Sequence, residues 1–166
     1  LKGTDICKYH INPAKQYLRF EPEQFQQVAP LEIYRAPEKL LYRFISNQLV
    51  VAYDDRQMLS LNSCNIVIPK IEGMQIKYIL AILNSSVSQF VYQKEFHSIK
   101  VLRAHMEHIP RVGKAIQNEI IAMTEPLICG MGKEAAETCQ KRLDCRIMDL
   151  FRLSAEEQWI VRHALH

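Results

Sequence analysis

The chain has 166 residues, 48% of them hydrophobic and 23% charged, and a formal net charge of +3. These are the values of an ordinary globular domain, so they exclude a disordered, collagen-like or coiled-coil chain. Apolar runs such as residues 79–83 are far shorter than the ~20 residues that a membrane span requires. We therefore expect no association with a membrane.

The positive charge is concentrated in the first two thirds of the chain. Residues 1–115 carry 15 Lys and Arg against 10 Asp and Glu, whereas residues 116–166 carry 6 against 8. A polyanion would bind to the N-terminal part, although an ordinary solvated surface explains the same excess. Five cysteines without a C-x-x-C pair indicate a reducing cytoplasm. The start at Leu1, without a signal peptide, is typical of a fragment of a longer protein.

Residues 1–38 contain Pro13, Pro22, Pro30 and Pro37 and little regular pattern. They predict a loop-rich presenting surface rather than a core. Apolar runs at residues 39–45 and 49–53 flank Ser46-Asn47-Gln48 and predict a hairpin. Residues 65–69 predict a third strand.

From residue 75 the apolar period changes to that of a helix, which predicts one long amphipathic helix as far as about residue 94. An extended piece at 98–102 and a turn of helix lead to Ile109-Pro110. Helices are then predicted at about 113–124, 133–151 and 155–165, and Ser154 with Glu157 forms a capping box for the last one.

The predicted fold is α+β, or mixed α/β. It has a small mixed or antiparallel sheet with one long packed helix, followed by a C-terminal helical bundle. The boundary is expected near residue 112, so that residues 1–112 form one domain and residues 113–166 a helical extension that packs on it.

Motifs for catalysis are absent or incomplete. The five glycines are scattered and form no phosphate-binding loop, and no G-x-S-x-G elbow occurs. Asn12-Pro13-Ala14-Lys15 lacks the second proline and the aromatic ring of the N-P-P-aromatic signature of amino-methyltransferases. We therefore expect no catalytic activity from this chain itself.

Two weak metal-site patterns have simpler interpretations. Asp54 and Asp55 would suit a nuclease that binds Mg²⁺, but no acid-x-Lys motif follows, and a polar turn is favoured. His105 and His108 lie three residues apart, but two ligands do not make a zinc site. They are interpreted as exposed histidines near a helix end.

Several phrases occur in an order that resembles a known family. They are L-K-G-T-D-I at residues 1–6 with Tyr9, K-L-L-Y-R-F at 39–44, S-L-N-S-C-N-I at 60–66 and Y-I-L-A-I-L-N-S at 78–85. V-L-R at 101–103, M-E-H-I-P at 106–110, and a tail with Leu143-Asp144 and L-F-R-L-S-A-E-E at 150–157 follow. Together they resemble the C-terminal specificity domain of TaqI-like DNA adenine methyltransferases. That family usually has Gly at the position of Arg152.

The resemblance implies a target recognition domain of a type II restriction-modification enzyme. Such a domain would hold double-stranded DNA for a catalytic methyltransferase domain of the same parent chain. That domain, outside this fragment, would bind S-adenosylmethionine and methylate a flipped adenine at N6. The parent enzyme would be an adenine-specific DNA methyltransferase, with or without a fused restriction endonuclease.

Under this interpretation, polar side chains on loops and after the predicted long helix are the candidate DNA contacts. They are Lys8, His10, Lys15, Arg19, Arg35, Arg43, Arg56, Asn62, Lys94, His97, Lys100 and Arg103. Arg43 has an alternative role in an ion pair with a carboxylate. Asn84 and Ser85 are expected to bond locally rather than to touch DNA.

A protein-interaction domain is the alternative function. It is motivated by the slightly acidic tail and by helices rich in Leu, Ile and Met at 116–128 and 143–153. In the intact protein this tail would dock on the catalytic domain or on a second subunit.

Overall fold

The computed structural model describes residues 1–25, 28–95, 100 and 109–164. A short helix α1 (Leu31–Tyr34) precedes strands β1 (Lys39–Arg43), β2 (Val51–Asp54) and β3 (Cys64–Val67). Helices α2 (Ile76–Asn84) and α3 (Ser86–Glu95) follow, and then α4 (Lys114–Cys129), α5 (Lys133–Leu150) and α6 (Ala155–His163). The α+β fold with a small sheet is confirmed.

The three strands form an antiparallel sheet in the order β2-β1-β3. This arrangement confirms the predicted hairpin and the third strand. Because side chains alternate between the two faces of a strand, Leu40 lies in the main core beside α2, whereas Leu41 lies in a second, smaller core. Both faces of the sheet are therefore buried.

The N-terminal segment, residues 1–11, covers the face of the sheet on which Leu41 lies. Ile6 and Ile11 are buried against Leu41. The backbone of Tyr9 forms two hydrogen bonds with β2: its N–H donates to Val51 O at 2.8 Å, and its carbonyl accepts from Tyr53 N at 3.1 Å. The expectation that residues 1–38 form only a presenting surface is thus wrong for residues 1–11. The apolar second face of β1 requires a partner, and this segment provides it.

The single long helix predicted from residue 75 is wrong, because the chain breaks at Ser85. This residue has extended backbone angles, with ψ of 157°, and it separates α2 from α3. The side chain of the preceding Asn84 lies in the core and bonds to both backbone groups of Val51. It accepts from Val51 N at 3.1 Å and donates to Val51 O at 2.8 Å. The local bonding expected for Asn84 is thus wrong, because Val51 lies on β2, whereas Ser85 does bond locally, with its Oγ donating to Ile82 O at 2.7 Å.

Charged groups occupy both helix ends at this break. Lys8 Nζ donates to Asn84 O at the C-terminus of α2, at 3.2 Å, and Asp144 Oδ1 accepts from Ser86 N at the start of α3, at 2.8 Å. Each charge has the sign that the helix dipole favours. Burial lowers the pKa of Lys8 and raises that of Asp144, while the attraction between the two groups opposes both shifts. These contacts satisfy backbone groups that a helix end leaves unpaired.

The C-terminal helices pack on α2 and α3. Ile120, Leu143 and Ile147 are fully buried in the core that also contains α2. Helix α4 is longer than predicted, since it continues past Pro126 to Cys129 and ends before Gly130, whose φ is +80°. None of the helices in the described part of the chain is long and apolar enough to cross a membrane.

The connection between α5 and α6 contains a residue in a left-handed conformation. Arg152 has φ of +56°, which glycine adopts at little cost. The resembling family usually has Gly here, so the geometry accounts for that preference. The capping box that follows is confirmed, because Ser154 and Glu157 each accept from the other's backbone N–H.

A buried ion pair joins the two outer ends of the hairpin. Lys39 Nζ lies 2.5 Å from Asp54 Oδ2, and both side chains are fully buried. Lys39 also donates to Tyr34 O at 2.7 Å, and Asp54 accepts from the backbone N–H groups of Arg56 and Met58, both at 2.9 Å. Both buried charges thus have polar partners within the fold.

We predict that Asn84→Ala lowers the free energy of unfolding by about 2–4 kcal/mol, because it leaves two buried backbone groups of Val51 unpaired. Urea unfolding followed by circular dichroism measures this. Asn118→Ala is the matched control, since Asn118 is exposed and its amide oxygen bonds only to an exposed Gln75 amide in the described residues. Equal stabilities of the two variants would contradict the role of Asn84.

We also predict that Lys39→Met lowers the free energy of unfolding by about 3–5 kcal/mol, because it leaves the Asp54 carboxylate buried without a counter-charge. The double variant Lys39→Met/Asp54→Leu should recover part of this loss in the same unfolding experiment, because it removes the uncompensated charge but leaves the backbone groups of Tyr34, Arg56 and Met58 without these partners. Arg146→Met, which breaks the exposed pair with Glu119, should cost at most about 1 kcal/mol. A double variant less stable than Lys39→Met would refute the account.

Candidate nucleic-acid interface

A wide groove is lined by residues from four described stretches of the chain, 1–5, 14–25, 28–35 and 56–66, and by Tyr42. Its volume is about 1870 Å³, well above the ~300–1,000 Å³ of pockets that bury a small ligand. It therefore suits part of a macromolecule. Among the described residues that line it are five of the predicted DNA contacts: Lys15, Arg19, Arg35, Arg56 and Asn62. We call this surface the basic groove.

The charges that line the basic groove are predominantly positive. Its described lining residues include Lys2 and the four cations just named, against one carboxylate, that of Asp5. Arg19 forms an ion pair with Glu21 at 2.8 Å, but the Arg19 side chain is 88% exposed, and exposed pairs are weak. A phosphate group can compete for such an arginine. The groove is thus electrostatically suited to a polyanion.

The buried ion pair positions two of these cations. Lys39 bonds to the end of α1, next to Arg35, and Asp54 bonds to the backbone of the loop that carries Arg56. Arg35 itself donates from Nη1 to Gln57 O in that loop, at 3.2 Å. The two sides of the groove are therefore fixed relative to each other by one polar network.

Aromatic side chains also line the basic groove, and sequence reasoning missed them. The Phe20 ring stacks on Phe25 with centroids 6.0 Å apart and meets Tyr34 edge-on at 6.1 Å. On the sheet, Tyr42 accepts a bond from Asn65 Nδ2 at 3.2 Å. The signal that was available is K-Q-Y-L-R-F at residues 15–20, in which aromatic and basic residues alternate as they do on nucleic-acid-binding surfaces.

Two of the predicted contacts have internal partners instead. Lys8 is directed to the carbonyl of Asn84, as described above. Arg43 Nε donates to Ile6 O at 2.9 Å, which joins β1 to the N-terminal segment. This partner is a backbone carbonyl and not the carboxylate considered from the sequence. Both side chains stabilise the scaffold, and their contact with DNA stays a prediction.

Three further candidates, His10, Lys94 and Lys100, are not among the described residues that line the groove. His10 is half-buried, whereas Lys94 and Lys100 are exposed; Lys94 Nζ lies 5.8 Å from the centroid of the Phe90 ring, and Lys100 forms an isolated bridge with Ile45. His97 and Arg103 lie outside the described residues, as does the extended piece expected at 98–102 apart from Lys100. Contact with DNA at these positions stays a prediction.

The geometry of Asp54 is inconsistent with a magnesium nuclease. Both of its carboxylate oxygens accept bonds from the chain itself, from Lys39 and from the loop backbone. The expected polar turn is also wrong for Asp54, which is the last residue of β2 and has a fully buried side chain. No group of three His, Cys, Asp or Glu in the described ranges could hold a metal ion. His105 and His108 lie outside those ranges.

The apolar faces that motivated a protein-interaction domain are largely used within the fold. Ile120, Leu127, Leu143, Ile147 and Met148 are all buried in the main core. The tail helices therefore need no second protein to cover those residues.

A comparison with protein families gives a match over the part of the chain that carries the groove. The family described as the TaqI-like C-terminal specificity domain matches residues 1–110. All the residues of the basic groove lie within this range, whereas α4, α5 and α6 lie beyond it. A search of curated proteins found no significant match. The match covers most of the 166 residues, so the chain belongs to the family of TaqI-like C-terminal specificity domains, which are DNA target-recognition modules.

Proposed function

We propose that this chain binds duplex DNA in the basic groove and selects the sequence on which a separate methyltransferase domain acts. The observation that carries the proposal is the convergence of Lys15, Arg19, Arg35 and Arg56 on one groove inside the family match. Lysine and arginine at this density neutralise phosphates, while amide and guanidinium groups distinguish base edges. Asn62, exposed beside these cations, has the amide that pairs with adenine.

The reaction proposed for the parent enzyme is the transfer of a methyl group to adenine N6 in a type II restriction-modification system. S-adenosylmethionine would supply the methyl group and would be bound by the methyltransferase domain. The basic groove does not fit that cofactor, because it lacks a glycine-rich turn between a strand and a helix; of the described lining residues none is glycine. This chain's contribution is to hold and orient the DNA.

We predict that duplex binding weakens steeply with salt and that Arg35→Ala and Arg56→Ala each weaken it several-fold. Removing one phosphate contact should make the slope of log affinity against log salt less negative by about 0.9. Fluorescence anisotropy with a pool of random-sequence duplexes measures both quantities across a salt series.

Lys133→Ala and Lys141→Ala are matched controls, since both lysines are exposed on α5, away from the groove. Circular dichroism checks that every variant is folded. Arginine variants with the affinity and slope of the lysine variants would refute the assignment of the groove. Failure of the unmodified chain to bind any duplex at low salt would refute the proposed function.

A further inference from the structure

Two adjacent apolar side chains project from the rim of the basic groove. Tyr17 is 83% exposed and Leu18 is 68% exposed, and both belong to the lining of the groove. Single exposed apolar residues are common on protein surfaces, but a neighbouring pair with so little cover is not accounted for by packing. The aromatic residue that follows them, Phe20, differs, because it packs on Phe25 and Tyr34.

The charges around this pair restrict what can cover it. Lys15 and Arg19 flank the pair in sequence and line the same groove, so the covering surface must accept apolar side chains between two cations. An apolar protein surface would offer no anionic group to these cations, and the existing pair of Arg19 with Glu21 is exposed and therefore weak. Duplex DNA has the complementary arrangement, since phosphates line its exterior and apolar base faces lie inside the stack.

The chain is anchored on both sides of the pair. On one side Asn12 N donates to Asp5 O at 2.9 Å, and Lys2 Nζ donates to Gln16 Oε1 at 2.7 Å. On the other side the Phe20 ring is packed as described. Tyr17 and Leu18 are thus presented by a segment that is tied to the scaffold before and after them.

We infer that Tyr17 and Leu18 form a wedge that inserts between neighbouring base pairs of the duplex bound in the groove. This inference rests on the proposed function and adds the residues that would deform the DNA. Stacking of an aromatic ring on a base, together with the phosphate contacts that the opened step permits, would offset the cost of unstacking the step. Lys15 and Arg19 would bind the phosphates on either side of the opened step.

The test uses a duplex that the chain itself selects from a random-sequence pool, with 2-aminopurine placed at each position of the selected site in turn. The fluorescence of this base rises when it is unstacked. We expect the unmodified chain to raise the 2-aminopurine fluorescence several-fold at one base step of the site. Tyr17→Phe should preserve the rise because the aromatic ring is retained.

The double variant Tyr17→Ala/Leu18→Ala should abolish the rise and weaken binding by about 10- to 100-fold. Leu31→Ala is the matched control, since Leu31 is 54% exposed on α1 but is not among the described residues that line the groove. It should bind and unstack like the unmodified chain.

Salt-dependent binding without a fluorescence rise at any position would overturn the wedge and leave the proposed function intact. A rise that persists in the double variant would also overturn it. Failure of the unmodified chain to select any duplex would refute the proposed function and the wedge together.

Discussion

The buried ion pair between Lys39 and Asp54 connects the sheet to both sides of the basic groove. Its two side chains have no exposure to solvent, so each charge depends on the other and on the backbone groups around it. Lys39 bonds to the carbonyl of Tyr34, and Asp54 bonds to the amides of Arg56 and Met58. A replacement by apolar residues would keep the sheet, but it would not supply those backbone bonds. The pair thus determines where Arg35 and Arg56 are placed.

A second polar cluster stabilises the opposite side of the sheet. Asn84 bonds to the backbone of β2, Lys8 comes from the N-terminal segment, and Asp144 comes from α5. Each of these side chains satisfies a backbone group at or near the break at Ser85. The helices beyond residue 110 therefore stabilise the part of the chain that the family match covers, because Asp144 and the core residues of α4 and α5 pack there.

The phrases that made the sequence recognisable are mostly structural. Gly3 is one example, since a side chain there would lie 2.6 Å from the carbonyl oxygen of Ser63, and Ser63 belongs to another of the phrases. Asn84 ends α2, and Asp144 bonds to the first residue of α3. The recognisable residues thus mostly build the scaffold, whereas four cations of the groove, Lys15, Arg19, Arg35 and Arg56, lie between the phrases. This division is expected when one scaffold presents different recognition loops.

Sequence reasoning succeeded where the signal is local. Two apolar runs on either side of a polar turn predicted the hairpin, and the spacing of Ser154 and Glu157 predicted the cap of α6. It failed at Ser85, because Asp144, which bonds to the start of α3, is 58 residues distant in the chain. Lys8 was indistinguishable from Lys15 as a loop lysine, and only tertiary structure separates the buried one from the one in the groove.

Site-specific crosslinking to DNA tests the central claim most directly. A photoreactive residue placed at Asn62, in the basic groove, is compared with one placed at Glu137, which is also exposed but lies on α5. The account predicts a crosslink to duplex DNA from position 62, its loss in the Lys39→Met variant under conditions where that variant is folded, and little crosslinking from position 137. Equal crosslinking from both positions, or a stronger crosslink from α5, would contradict it.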